Sequence, residues 1–114
     1  MPGDKNSHLN MEKEIQEMQI LEQSLQNILM QKQAFQTEFT ETQSALKELK
    51  DSKDEVYKII GSLMLRTEKA KILEELTNKE KLLDIRLKSL DKKEQDFSGK
   101  LEELREKIMG SMNK

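Results

Sequence analysis

Stepping alternately by three and four residues from Met11 reaches Glu14, Met18, Leu21, Leu25, Ile28, Lys32, Phe35, Phe39, Thr42, Leu46 and Leu49, and nine of these twelve positions are apolar. Apolar residues sustained at a mean spacing of 3.5 mark a helix that buries one narrow stripe against another helix. A second seam with the same step runs Leu73, Leu76, Glu80, Leu83, Leu87, Leu90, Glu94, Phe97, Leu101, Leu104, Ile108 and Ser111. The two seams fit each other. If the chain folds back on itself so that facing residue numbers sum to 122, Leu49 meets Leu73, Leu46 meets Leu76, Phe39 meets Leu83, Phe35 meets Leu87, Leu25 meets Phe97, Leu21 meets Leu101 and Met18 meets Leu104. Every a position then faces a d position, as antiparallel pairing requires.

The polar interruptions also fall sensibly. Thr42 is expected to face Glu80, while Lys32 and Glu94 sit in adjacent layers where they can pair. Such insertions fix register and orientation at some cost in stability. Parallel dimerisation of each arm with another chain is the alternative, and it leaves the matched arm lengths a coincidence.

Composition agrees with a thin seam rather than a thick core. The chain has 114 residues, 37% of them charged and only 34% hydrophobic, which suits long helices better than a globule. Disorder is the competing reading of so polar a chain, and the matched seams argue against it. Absence of cysteine excludes disulfide and thiolate chemistry. No signal peptide or membrane-length apolar run is present, and Pro2 breaks the start of a myristoylation motif. A cytoplasmic location is therefore expected. The net charge of −2, with both signs interspersed, gives no footprint for nucleic acid or an anionic membrane.

Catalytic constellations are missing. His8 is the only histidine and is read as a solvated tail residue. No Cys/His set suits a zinc site or a nucleophile–base pair, and no glycine-rich phosphate loop occurs. Asp51, Asp54 and Glu55 cluster, but without the order and glycine of a calcium loop. We expect no enzyme, no metal and no cofactor.

Between the arms the period changes from 3.5 to 2. From Val56 to Leu65, seven of ten residues are Val, Tyr, Ile, Leu or Met, and Lys58 is the only charge. Gly61-Ser62 is a two-residue hairpin signal. It sets Ile60 against Leu63, Ile59 against Met64, Lys58 against Leu65 and Tyr57 against Arg66. One face then carries Val56, Ile60, Leu63 and Leu65, and the other Tyr57, Ile59 and Met64. A lone two-stranded hairpin is marginal in water. Leaving these side chains exposed forgoes on the order of 10 kcal/mol, at ~1.5 to 3 kcal/mol each. With both arms occupied by each other, the cover must come from other subunits, and Val56, Tyr57, Ile59, Ile60, Gly61, Leu63, Met64 and Leu65 form the oligomerisation element. The expected organisation is a flexible tail over 1–10, arm 1 over 11–50, the β-hairpin over 55–67, arm 2 over 68–109 and a tail over 110–114. Thr67 is the expected N-cap of arm 2, with Glu68 just inside, and Gly110 its natural stop. The fold class is mainly α: a long antiparallel coiled-coil hairpin with a central β-hairpin.

The segment VYKIIGSLMLRT, followed by EKAKILEEL, resembles the hairpin of prefoldin beta-type subunits, and the upstream QKQAFQTEF is similar too. The resemblance covers residues 11–109. One hairpin rather than two points to the beta type. The KDSKDE approach departs from relatives, which often carry a Pro-containing turn there. The resemblance implies a hexamer, typically two alpha and four beta subunits, whose hairpins combine into a β-barrel platform from which coiled coils hang. It also implies an ATP-independent holdase that captures non-native proteins at the arm tips and delivers them to a group II chaperonin. A passive coiled-coil scaffold or tether is the alternative function.

Setting Met1 aside, four of the six methionines (Met11, Met18, Met109 and Met112) lie near the arm ends. Methionine is flexible and polarisable, which suits surfaces that accept many partners, although it also tolerates the loose packing of a fraying coiled coil. With the resemblance, the expected client-binding residues are Met11, Ile15, Met18, Leu21, Leu104, Ile108, Met109 and Met112. Ile20 adds apolar area off the seam.

Overall fold

A computed structural model describes the chain at residues 2–53 and 55–112, with side chains described from Leu9 onward. Helix α1 spans Pro2–Asp51, strands β1 and β2 span Val56–Ile60 and Leu63–Thr67, and helix α2 spans Lys69–Met112. Two compact units divide the chain: Gln33–Lys88, and Met1–Lys32 with Ser89–Lys114.

In the Gln33–Lys88 unit, α1 and α2 pair antiparallel. Lys79 Nζ lies 3.0 Å from a Glu38 carboxylate oxygen, and the Arg86 guanidinium lies 5.5 Å from the centre of the Phe35 ring. Rising numbers on one helix thus meet falling numbers on the other. Leu46, Leu49 and Leu83 are buried, and Phe35, Phe39, Leu73, Leu76 and Leu87 are half-buried. These are the seam positions. Among the described residues Thr42 is the most buried polar one, but its hydroxyl does not turn to Glu80. It donates to the Glu38 carbonyl at 2.8 Å, because a β-hydroxyl in a helix reaches the carbonyl four residues back.

The end of α1 is closed by its own chain. Ser52 donates to the Leu49 carbonyl from its amide at 3.2 Å and from its hydroxyl at 2.8 Å. The Lys69 ammonium donates to the Ser52 carbonyl at 2.9 Å, placing a cation at the negative end of the helix. Asp54, one of the three acidic residues singled out above, lies outside the described residues.

The strands pair antiparallel in the expected register, with Val56 opposite Thr67 and Ile60 opposite Leu63. Gly61 has a φ of 59°, and among the described residues no other has positive φ. One positive φ at the first turn position fits a type II′ turn, which matches strand twist and favours glycine there.

Three boundaries differ from the sequence reading. Helix α1 starts at Pro2 rather than Met11; proline is well suited to the first helical turn, where no amide partner is needed. Helix α2 begins one residue later than expected. The Ile72 amide donates to the Glu68 carbonyl at 3.2 Å, so Glu68 takes the N-cap position and Thr67 stays in β2, paired with Val56. Gly110 does not stop α2, which continues to Met112; a helical glycine costs only about 1 kcal/mol.

In the other unit, Ile28, Leu90, Leu101 and Ile108 are buried, and Met18, Leu21, Leu25, Phe97 and Leu104 are half-buried. Arg105 reaches Glu22 at 3.6 Å, and the Lys32 ammonium reaches both Asp91 and Glu94 at 2.6 Å. Antiparallel pairing holds here as well. No described side chain is fully sealed from solvent, as expected of a seam one residue thick.

Candidate functional site

Two surfaces carry the sequence-derived candidates. The first is the hairpin. Alternation along β1 and β2 sends Ile59, Tyr57 and Met64 to one face and Ile60, Leu63 and Leu65 to the other. All six are exposed, from Leu65 at 47% to Ile59 at 68%; Val56 is half-buried and Gly61 exposed. Two charged residues of the hairpin are paired: Lys58, in the middle of β1, with Glu75 at 3.1 Å, and Arg66 with Glu55 at 3.5 Å. An open cleft adjoins the hairpin, lined by the apolar side chains of Leu49, Val56, Ile72 and Leu76 together with the polar Glu48, Ser52 and Glu55. Apolar patches of this kind on a small chain mark association surfaces.

The second surface lies at the arm ends. Only Met109 and Met112, at 63% and 71%, are exposed among the eight expected client contacts. Met11, Ile15, Met18, Leu21 and Leu104 are half-buried, and Ile108 is buried at 8%. Leu21 and Leu104 come together, lining one cleft with Glu17, Lys100, Glu103 and Lys107 around them. The seam is closed at these positions, so most of this apolar area becomes available only where the helices part.

Exposed apolar residues that the seam argument passed over are Leu9, Leu29, Met30, Leu82 and Ile85. Their signal was present in the sequence as large apolar residues off the heptad step.

One ionisable cluster is set inside the seam. Lys32, 28% exposed in its side chain, bridges Asp91 and Glu94. Asp91 first, then Glu94, hold its ammonium above the ordinary lysine value, against a smaller opposing effect of desolvation. Pairing with Glu94 was expected from the layer positions; Asp91 was not. Among the described residues no group of His, Cys, Asp and Glu side chains is placed to hold a metal ion, and no helix is long and apolar enough to cross a membrane.

Against known proteins, the profile of the prefoldin subunit family matches residues 12–114. The prefoldin subunit beta of Thermococcus onnurineus is 40% identical over 93 residues, covering 80% of each chain. That of Pyrococcus furiosus is 35% identical over 98 residues, 84% of each chain. A crystal structure of the prefoldin beta subunit from Thermococcus strain KS-1 matches with a TM-score of 0.81 and 34% identity, over 90% of this chain and 91% of that one. With two helices, one β-hairpin and these likenesses along most of its length, the chain belongs to the prefoldin subunit family, in its beta class.

Proposed function

We propose that this subunit works as part of a cytoplasmic, ATP-independent holdase. A prefoldin subunit is a chaperone component and not an enzyme. In this reading the hairpins of several subunits, two of alpha type and four of beta type, complete one another into a β-barrel platform. The arms project from it, their ends take up non-native proteins, and the load passes to a group II chaperonin. No cofactor takes part.

The observation that supports it most is the hairpin: six large apolar side chains exposed on both faces of a two-stranded sheet. Such a sheet is marginal by itself and gains on the order of 1.5 to 3 kcal/mol for each side chain that neighbouring subunits cover. The exposed Met109 and Met112 suit loose contacts with many partners.

The test is light scattering from guanidinium-denatured citrate synthase diluted into buffer. The assembly reconstituted with an alpha-type subunit is compared with one lacking residues 1–21 and 102–114 of this chain. Suppression of aggregation by the intact assembly, lost on trimming, is the expected result. No suppression by an assembly of verified mass would favour a scaffold or tether instead.

A further inference from the structure

Charge is divided unequally between the helices of the Met1–Lys32 and Ser89–Lys114 unit. Residues 91–107 of α2 include eleven charged side chains in seventeen. Residues 18–31 of α1 include one, Glu22, and it is turned toward α2, where it meets Arg105. Just before them, Glu17 lines the cleft shared with α2. The outward face of α1 therefore reads Gln16, Gln19, Ile20, Gln23, Asn27 and Met30, all exposed and none charged. Ile20 and Met30 are about two-thirds exposed, at 66% and 69%. The four amides make no side-chain hydrogen bond among the described residues.

Helix formation does not call for this composition, since Lys and Glu have helix propensities close to that of Gln. The outward face of a coiled coil is ordinarily charged, which aids solubility and adds i,i+4 pairs. What an uncharged face gains is the ability to be covered. Covering a charge without a partner is expensive. A side-chain amide offers a donor and an acceptor together, the same pair that an unpaired peptide group presents. A face with no charge of either sign complements a partner recognised by its backbone and apolar groups. A specific folded partner would be steered and set in register by complementary charges, and here there are none to do it.

We propose that the outward face of α1 over residues 16–30 is a second client-contact surface. It holds an extended, non-native polypeptide segment through side-chain amides, with Ile20 and Met30 as adaptable apolar contacts. This rests on the holdase reading and adds to it a contact that remains available while the seam at the arm ends is closed.

The experiment uses the assembly reconstituted with an alpha-type subunit and guanidinium-denatured citrate synthase. One variant carries Gln19→Glu, Gln23→Glu and Asn27→Glu, and a second carries Lys at the same positions. A control carries Lys92→Glu and Gln95→Glu, which changes net charge as much as the first variant does, but on α2. Circular dichroism and mass measurement establish that each assembles and remains helical. The expected result is that both α1 variants need about fivefold or more assembly for half-suppression of scattering, while the control matches the parent. A photo-crosslinker at position 23 should capture the denatured probe, and one at position 95 should not.

Suppression unchanged in both α1 variants, with no capture at position 23, would overturn the proposal alone. Loss with one sign of charge only would also overturn it, since the face would then be selecting charge. Loss of assembly mass in both would assign the face to another subunit rather than to the client. No suppression by the parent assembly would overturn the holdase reading and this proposal together.

Discussion

The Lys32 ammonium stands 2.6 Å from a Glu94 carboxylate oxygen, joining α1 and α2 inside the apolar seam. An Asp91 carboxylate oxygen lies at the same distance from the ammonium. Where leucines would pack in any register, this cluster accepts one. Replacing Lys32 by Leu alone leaves Glu94 half-buried without its partner and should lower the thermal midpoint. Replacing both, Lys32→Leu with Glu94→Leu, should raise the midpoint above the parent, because a partly exposed ion pair contributes little and leucine extends the apolar seam. The double variant should also lose some pairing specificity, read as mixed oligomers by native mass spectrometry. A lowered midpoint in the double variant would show that the cluster stabilises the seam outright.

The same cluster sets a pH dependence. The folded-state pKa of Lys32 is raised by its carboxylate partners, so its contribution is fully present below the unfolded lysine value, about 10.4. It is lost as pH rises through the folded value. Thermal midpoints of the parent and of Lys32→Leu, measured from pH 7 to 11.5, should therefore converge only in the alkaline part of the range. Convergence near neutrality would contradict this.

Gly61 and Gly99 both have open space where a β-carbon would stand, yet alanine should act on them in opposite directions. Gly99 is helical, and Gly99→Ala should stabilise by about 1 kcal/mol. Gly61 holds a φ of +59°, so Gly61→Ala should destabilise by roughly 1 kcal/mol. Urea unfolding of the two variants measures both signs.

Ile59 and Met64 face each other across the strands and are among the most exposed apolar residues of the hairpin. Ile59→Lys with Met64→Glu keeps a compatible cross-strand pair while removing apolar area. Helicity should persist, and size-exclusion chromatography with light scattering should show assembly mass falling toward single subunits. An intact assembly would remove the hairpin from the interface.

Much of this architecture was legible because two periodicities carry it. A stripe every 3.5 residues marked Leu46, Leu83 and Leu101 as seam residues, and a Gly-Ser turn fixed the pairing of Ile60 with Leu63. What was not legible depends on local competition between near-equal choices. Thr67 can cap a helix or pair with Val56, and the sheet takes it. Thr42 can face across the seam or bond the Glu38 carbonyl, and the nearer acceptor wins. Gly110 can end a helix, but its small penalty does not outweigh continuation to Met112. The arm-end candidates were chosen by position, apolar type and the family resemblance, none of which reports whether a side chain is covered. Hence Met109 is exposed while Ile108 beside it is buried.

The seam is one residue thick, and none of its side chains is wholly enclosed. Each layer therefore leans on its neighbours along the arm and on nothing beyond them. Helix length in such a structure is a quantity that can be cut in whole heptads. Deleting residues 15–21 from α1 together with 101–107 from α2 removes one heptad from each strand of the zipper and leaves every remaining facing pair matched. Deleting either stretch alone keeps the a and d phase, but it shifts each layer beyond the cut to a partner seven residues away and leaves one helix a heptad longer than the other. Insertions and deletions that keep every remaining facing pair thus come in mirrored sevens, and they leave the hairpin sequence untouched.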